Sequence, residues 1–575
     1  MSLERLARSF AILVVVMTLF CGAQTSAGAK AGEMPQKSPF NVRDFGAAGD
    51  GLALDTQAIT NAVRAASHTG GGTVYFPAGT YRTGTFELLS NVTLDLDAGA
   101  TIQGSKDPAD YGSINAFGFG HDYGVNSTGE GNKVGIIIAR EAENIAIVGR
   151  GTIDGQGDSF FDSARPHYSM DFDPAYTRQG QLFLDAVRDT GDGPVEFKAE
   201  GRPGTLMVFS HCRNVLLRDV TIRNAPNWTI HFQHTEQVVV SGIHILNSEL
   251  LPNNDGIDCM GCKNVHISDS DIRAGDDDFA IVGSENVTVV ECSLISRSSG
   301  IRLESTQHAL FTGLTIDANR GIGVYGRGTG RTSDVIFSDI TIQTRLFTGH
   351  WWGKAEPIYI AAGGHSKRGP EGEVSNVRFS NISAAAESGI FIYGAPSASV
   401  HDISMTNIWL NLRRTREEVS KAVGGNFDLR WTATAHSNAV FKHDISAIYC
   451  RYTDGVHLEN VTVTWDAQKA DFYSHAIECE DFRDLVIDHF EGRQAQDSSD
   501  TSVIALARGE GATVRDSTAA AGASAFVSAI LLRGDNLFTG NDLRRTHRAF
   551  ARGEKYFKVS GNVGAVSART PLRSK

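Results

Sequence analysis

Asn264-Val265-His266-Ile267-Ser268 decides the fold, because the same phrase returns at a nearly fixed interval. A polar residue, most often Asn, precedes Val, and apolar and polar residues then alternate. The phrase stands at Asn214-Val215, Gln237-Val238, Asn264-Val265, Asn286-Val287, Asp334-Val335, Asn376-Val377 and Asn460-Val461. The early steps are 23, 27 and 22 residues, and His308-Ala309 supplies the phrase between Asn286 and Asp334. From Asp334 to Asn376 is 42 residues, which requires an insertion. Alternation with period two marks a strand with one buried face, as in Val265-His266-Ile267-Ser268 and Ala280-Ile281-Val282. A short unit of two or three strands cannot close its own core, but stacked units can. The expected fold class is all-β: a right-handed parallel β-helix, or solenoid, with an N-terminal capping helix and inserted loops. A leucine-rich horseshoe needs a regular Leu framework, and a propeller needs Trp-Asp blades of about 40 residues. The chain has neither.

Working outward, Asp55 is placed to cap a helix with Ile59, Ala62, Val63 and Ala66 on one face, stopped by Gly70-Gly71-Gly72. Such a helix covers the open end of a solenoid and its unpaired strand edge. Coils are expected from about residue 73, with Thr73-Val74-Tyr75-Phe76 and Val92-Thr93-Leu94-Asp95-Leu96, and continue weakly to Ala529-Ile530-Leu531-Leu532. No linker marks a second domain, so residues 30–575 are read as one β-helix domain. The first 29 residues read as a cleavable signal peptide: Arg5 and Arg8, then the apolar stretch Phe10–Cys21, then Ala27-Gly28-Ala29. The apolar run is too short to span a bilayer. A secreted or periplasmic protein is expected, with no membrane contact in the mature form, and a monomer.

Of 575 residues 61 are Gly and 14 are Pro, which suits tight turns between strands better than flexible linkers. A net charge of −13 excludes nucleic acid as a partner suited to the chain's overall charge. It leaves room for a polyanionic sugar, which needs only a local cationic groove. Six cysteines follow the signal segment, too few for a disulfide scaffold. Cys259-x-x-Cys262 lacks a second pair at metal spacing and reads as buried thiols or an isolated disulfide.

Two segments break the solenoid spacing. Residues 158–200 carry Phe160, Phe161, His167, Tyr168, Phe172 and Tyr176, and residues 344–357 carry Phe347, His350, Trp351, Trp352 and Lys354. Loop aromatics beside a groove stack on sugar rings or pack on the solenoid wall. For the first loop both readings stand. For His350, Trp351 and Trp352 substrate contact is expected.

The densest acidic constellation is Asn253-Asn254-Asp255-Gly256-Ile257-Asp258 followed by Gly275-Asp276-Asp277-Asp278. Asp255 and Asp276 are 21 residues apart, about one coil. Neighbouring rungs stack ~4.8 Å apart, so Asp255 should lie beside Asp276 and Asp277. Gly275 should permit the irregular backbone that lets consecutive aspartates share a surface. Crowded carboxyls raise at least one pKa and keep a proton available, while the others stay ionised to activate water. An inverting glycosidase uses this equipment, with carboxyls ~6.5–9.5 Å apart. Turn aspartates capping backbone amides and a calcium site are the alternatives.

These residues resemble the polygalacturonase family of pectin-degrading glycoside hydrolases, family 28. The phrases that carry the resemblance are Phe45-Gly46-Ala47-Ala48-Gly49-Asp50-Gly51, Phe76-Pro77-Ala78-Gly79-Thr80-Tyr81, Ile147-Val148-Gly149-Arg150-Gly151-Thr152-Ile153-Asp154-Gly155, Asn224-Ala225-Pro226-Asn227-Trp228, Asn254-Asp255-Gly256-Ile257-Asp258 and Gly275-Asp276-Asp277. They run in order over residues 40–345, leaving 346–575 as C-terminal coils and extensions. The resemblance implies an inverting, metal-independent reaction without cofactor on a pectic or related cell-wall polysaccharide. It makes Asp276 the general acid, gives Asp255 and Asp277 the attacking water, and matches Asn253 to the start of the family's Asn-x-Asp motif. Asp278 falls where many members have Cys. Two departures stand out: Ser299 replaces a His, and Gly323 and Tyr325 replace the Arg and Lys that grip the galacturonate carboxylate. Arg302, Tyr325 and Arg327 are candidates for a rebuilt sugar subsite, with Arg302 also a candidate partner for an Asp. A rhamnogalacturonan hydrolase, a pectate-lyase-like eliminase using an Arg base, and a non-catalytic polysaccharide-binding solenoid are the other readings.

Overall fold

The computed structural model describes residues 39–564 except 115, 117–132, 168–170, 190, 364–371, 397–399, 431, 433–439 and 497–500. The signal-peptide reading, Cys21 and Tyr168 lie outside the described residues. Each coil turns through three strands, for example Glu236–Ser241, His244–Leu246 and Ile257–Met260. All three pair in parallel with the matching strands of the next coil, Lys263–Ser268, Asp271–Ala274 and Phe279–Val282. The third strands form one parallel ladder of fifteen among the described residues, from Phe86–Glu87 to Thr546–Arg552. The first and second strands make up a second parallel sheet of thirty.

The repeated phrase is a corner and the column behind it. Val215, Val238, Val265, Val287, Ala309, Val335 and Val377 are in register and buried. The residue before each adopts left-handed backbone, with φ of 57° at Asn214 and Gln237, 56° at Asn264 and 57° at Asn286. Asn tolerates this conformation better than most residues. Asn460-Val461 belongs to a different corner, between the first and second faces. Val461 pairs with Ile408, and Asn460 donates to Asn407 Oδ1 (2.6 Å). Asn407 donates to Asn381, and Asn381 to Asp339, each at 3.0 Å, so a tape of side-chain amides binds these turns. The sequence phrase does not distinguish the two corners because both need the same left-handed residue before an inward Val.

Helix α1 (Thr56–His68) buries Ala58, Ile59, Ala62, Val63 and Ala66 against the first coils. Its entry differs from the expected cap. The Asp55 carboxylate accepts from Ala48 N (2.7 Å) and Gly49 N (3.1 Å) and makes no side-chain cap bond. The coils also begin earlier than expected, since Phe40 already pairs with Val74.

The long insertions on the third face leave from one corner, between the second and third strands. Besides 105–136, they span 155–206, 345–357 and 413–447, numbered here as the first, second and third insertions. They carry α2 (Gln181–Val187), α3 (Glu417–Val423) and the antiparallel pair Asn426–Asp428 with Val440–Lys442. Phe172, Phe183, Leu184, Val187, Leu346 and Val423 form a small core of their own. Arg178 N donates to Asn426 Oδ1 across 248 residues of chain (2.8 Å), and Trp351 Nε1 to Asp192 O (2.6 Å). Among the described residues no helix is long and apolar enough to cross a membrane. The six described cysteines are free and buried.

Candidate active site

Register places the site. Ile257 pairs with Phe279, Phe279 with Ile301, and Ile230 with Ile257. Two positions before these residues stand Trp228, Asp255, Asp277 and Ser299, and Ser299 pairs with Arg320. This one column, with Asn253, Asp276, Arg302, Tyr325 and Trp352, lines a pocket of about 160 Å³. The expected neighbourhood of the aspartates is therefore present: one carboxylate oxygen each of Asp255, Asp276 and Asp277 lies within 4.8 Å of the others.

Local hydrogen bonds hold the turns in place. Gly256 N donates to Asp277 O, and Asp278 N to Ser299 O, both at 2.9 Å. Asn254 is buried and its Oδ1 accepts from Gly275 N (2.6 Å) and Asp276 N (3.3 Å). Gly275 is required by space rather than by dihedral, since a Cβ there would lie 2.3 Å from Leu251 O. Asn253 has φ of 56° and turns its Nδ2 to Asp276 Oδ2 (3.3 Å). Arg202 of the first insertion backs it, donating to Pro226 O, Pro252 O and Asn253 Oδ1.

Burial and mutual repulsion act together on the carboxyls. Burial first, then Asp276, Asp258 and Asp277, hold the Asp255 carboxyl well above the usual range. Burial and Asp276 push Asp277 up to about 7, opposed by Arg302, whose Nη1 lies 3.9 Å away. Asp276 is raised by burial, opposed by Ser298 and Arg302. The three titrate as one cluster that keeps a proton near neutrality. Asp258 and Asp278 are fully buried, without a hydrogen-bond partner for either oxygen among the described residues, and burial raises both strongly. Neither lines the pocket.

The expected site residues divide. Asp255, Asp276, Asp277, Asn253, Arg302, Tyr325 and Trp352 converge on the pocket. Arg327, His350 and Trp351 do not. Arg327 shares Glu304 with Arg302, at 3.1 and 3.0 Å. Trp351 is 3% exposed and tied to the first insertion. His350 packs on Phe172, and burial with the charges of Arg430 and Lys354 pushes it down to about 3. These two expected sugar contacts are instead seams between insertions. Phe160, Phe161 and Phe172 are likewise buried and pack, whereas Tyr176 of the same loop is exposed.

Gly323 and Tyr325 act as a pair. A Cβ at Gly323 would lie 2.4 Å from Tyr325 Oη, so the ring folds back over the space an Arg side chain would need. Trp228 and Arg320 were missed as site residues, although the one-coil spacing that joins Asp255 to Asp277 reaches both. The triad is also the one group of acidic and metal-ligating residues placed to hold a cation among the described residues. Arg302 and the Asn253 amide, both turned toward it, oppose that use.

Fold and pocket together define a class: a parallel β-helix with three aspartates converging on one pocket. Residues 187–310 match the model for glycosyl hydrolases family 28. A probable polygalacturonase of Vitis vinifera is 28% identical over 231 residues, 38% of this chain and 39% of the relative. An exo-poly-alpha-D-galacturonosidase of Dickeya chrysanthemi is 30% identical over 240 residues, 39% of each. The crystal structure of a hyperthermoactive exopolygalacturonase from Thermotoga maritima superimposes with a TM-score of 0.50 at 20% identity, covering 76% of this chain and 93% of that one. The chain thus spans about two fifths of the length of the curated relatives it matches. Its fold is a right-handed parallel β-helix, and residues 187–310 are similar to glycosyl hydrolases of family 28.

Proposed function

We propose that the protein is an exported glycoside hydrolase that cleaves pectin-type polysaccharide from a chain end. The carrying observation is three buried carboxylates converging on one pocket, with packed side chains along the ladder to either side of it. Along the outward side of the third ladder, Arg302 and Gly323 are followed by Tyr359, Phe391 and Tyr449. Phe427 of the third insertion lies on Phe391 and Tyr449, with ring centroids 4.9 and 5.0 Å away. On the other side Val208 and Ile138 are buried under Ile114 and Val134. The exo-acting relative named above supports the same reading. Export suits a polymer too large to enter a cell.

In this reading Asp276, the most exposed of the three and steadied by Asn253, protonates the glycosidic oxygen. Asp255 and Asp277 seat a water, and one of them accepts its proton as it attacks C1. No metal is needed, so a chelator should leave the rate unchanged. The oxygens are closer than the ~6.5–9.5 Å of a two-carboxylate inverting pair, which makes stereochemistry the sharp test. The purified protein is incubated with polygalacturonate, rhamnogalacturonan and their oligomers, and the released sugar's anomer is followed by NMR. Inversion supports the water-mediated route. Retention would mean that one aspartate attacks the sugar itself, and an unsaturated product would mean elimination. Asp276→Asn should lose a factor of ~10²–10⁴ in kcat while the circular dichroism spectrum stays unchanged.

A further inference from the structure

Behind the pocket's far wall lies a buried charge cluster that family resemblance does not reach. Arg320 is fully buried, and its Nη1 donates to the Tyr325 hydroxyl oxygen (2.7 Å) and its Nη2 to Asp428 Oδ2 (2.9 Å). Arg430 grips the same carboxylate with two nitrogens, Nε to Oδ1 (2.9 Å) and Nη2 to Oδ2 (2.6 Å). The Arg430 guanidinium sits 4.3 Å over the Trp352 ring. Gly353 N also donates to Asp428 Oδ2 (3.3 Å), and Tyr359 Oη to Asp428 O (2.9 Å). Arg320, Tyr325 and Trp352 line the pocket, whereas Asp428 and Arg430 stand behind it. Asp428 is 0% exposed and comes from the third insertion, more than a hundred residues beyond the matched segment.

We propose that Asp428 is a positioning residue of the pocket, fixing Tyr325 through Arg320 and Trp352 through Arg430. The inference rests on the hydrolase reading above and assigns the sugar-contacting wall to this device, beside Gly323 and Tyr325. The physical case is charge balance. Two guanidiniums buried side by side repel, and a carboxylate bonded to both cancels that repulsion and orients each planar fork. Removing the carboxylate leaves uncompensated buried charge. Both arginines must then shift toward Glu356, which is 3.5 Å from Arg320 Nε, or toward water. Either movement withdraws the support under Tyr325 and Trp352 without touching the aspartates.

The test compares the full-length wild type with Asp428→Asn, Tyr325→Phe and their double variant on the best substrate of the panel. Asp428→Asn should raise KM about tenfold or more while kcat stays within about threefold, because binding is lost and the acid–base apparatus is not. Tyr325→Phe should do the same, and the double variant should be no worse than the poorer single one, since both act through one chain of contacts. A wild-type KM in a folded Asp428→Asn protein, or additive effects, would overturn the proposal. If Asp428→Asn does not fold, Arg430→Lys replaces it: the charge is kept and the two-pronged grip lost, so KM should again rise, and an unchanged KM overturns the proposal. If the wild type releases no sugar, the hydrolase reading fails separately. Calorimetric titration with a galacturonic acid oligomer then decides: weaker binding by Asp428→Asn sustains the positioning role, and equal or undetectable binding by both proteins ends it.

Discussion

Asp255 is nearly buried among three other carboxyls, and that placement has an energetic sign. Its folded-state pKa lies above the ordinary 3.8, so the folded protein holds more protons than the unfolded chain as pH rises from about 4. Stability contributed by the protonated form is present at low pH and lost as pH climbs through the raised value, by up to ~1.4 kcal/mol per proton for each pH unit in the window. Asp255→Asn removes that loss. Its melting temperature should equal the wild type's near pH 4 and exceed it increasingly as pH rises from there toward the raised value, read by differential scanning calorimetry at matched ionic strength. A gap that is constant or shrinks with pH would contradict a raised pKa. The same cluster sets the activity limb: burial raises Asp276, the proton donor of the proposed reaction, so its proton persists above the ordinary carboxyl range and is lost on the alkaline side. Hydrolysis should therefore decline as pH climbs through that raised value, and a rate still rising at pH 9 would be incompatible with a carboxylic acid as proton donor.

At the scale of elements, the coils and the first two insertions were legible in the sequence, and the third insertion and the contacts between insertions were not. A strand's inward residue repeats every coil, so Val215, Val238 and Val265 announce their own column, and the same arithmetic brings Asp255 beside Asp277. Asp428 has no such announcement. It reaches the pocket because Arg178 and Asn426 join loops 248 residues apart, a contact with no period to read. Trp351 misled for a related reason: an aromatic in a loop looks like a sugar platform until the loop that covers it is known. The joint between loops is itself testable. Gly349 has φ of 91°, and a Cβ there would lie 2.2 Å from Gly193 Cα. Gly349→Ala must part the first and second insertions. We expect a higher KM, faster proteolytic nicking within residues 155–206, and an unchanged β-sheet signal in circular dichroism. An Ala variant with wild-type KM and protease resistance would show that this seam does not shape the pocket.

For the whole molecule, a pocket flanked by packed insertions on a β-helix predicts what leaves it. Products at early times should be one short species, and substrate viscosity should fall slowly relative to reducing ends released. A rapid viscosity drop with a ladder of oligomers would require an open cleft. The seam between Arg178 and Asn426 also carries a consequence in time. Ribosomes deliver the aspartates long before they deliver Asp428. Coils can stack as they emerge, yet the far wall of the pocket lacks the backing of Asp428 and Arg430 until residues 413–447 have been made. In the proposed reading, a nascent or prematurely terminated chain would hold its acid and base in place and grip sugar poorly, gaining its full hold only once about three quarters of the chain has been made.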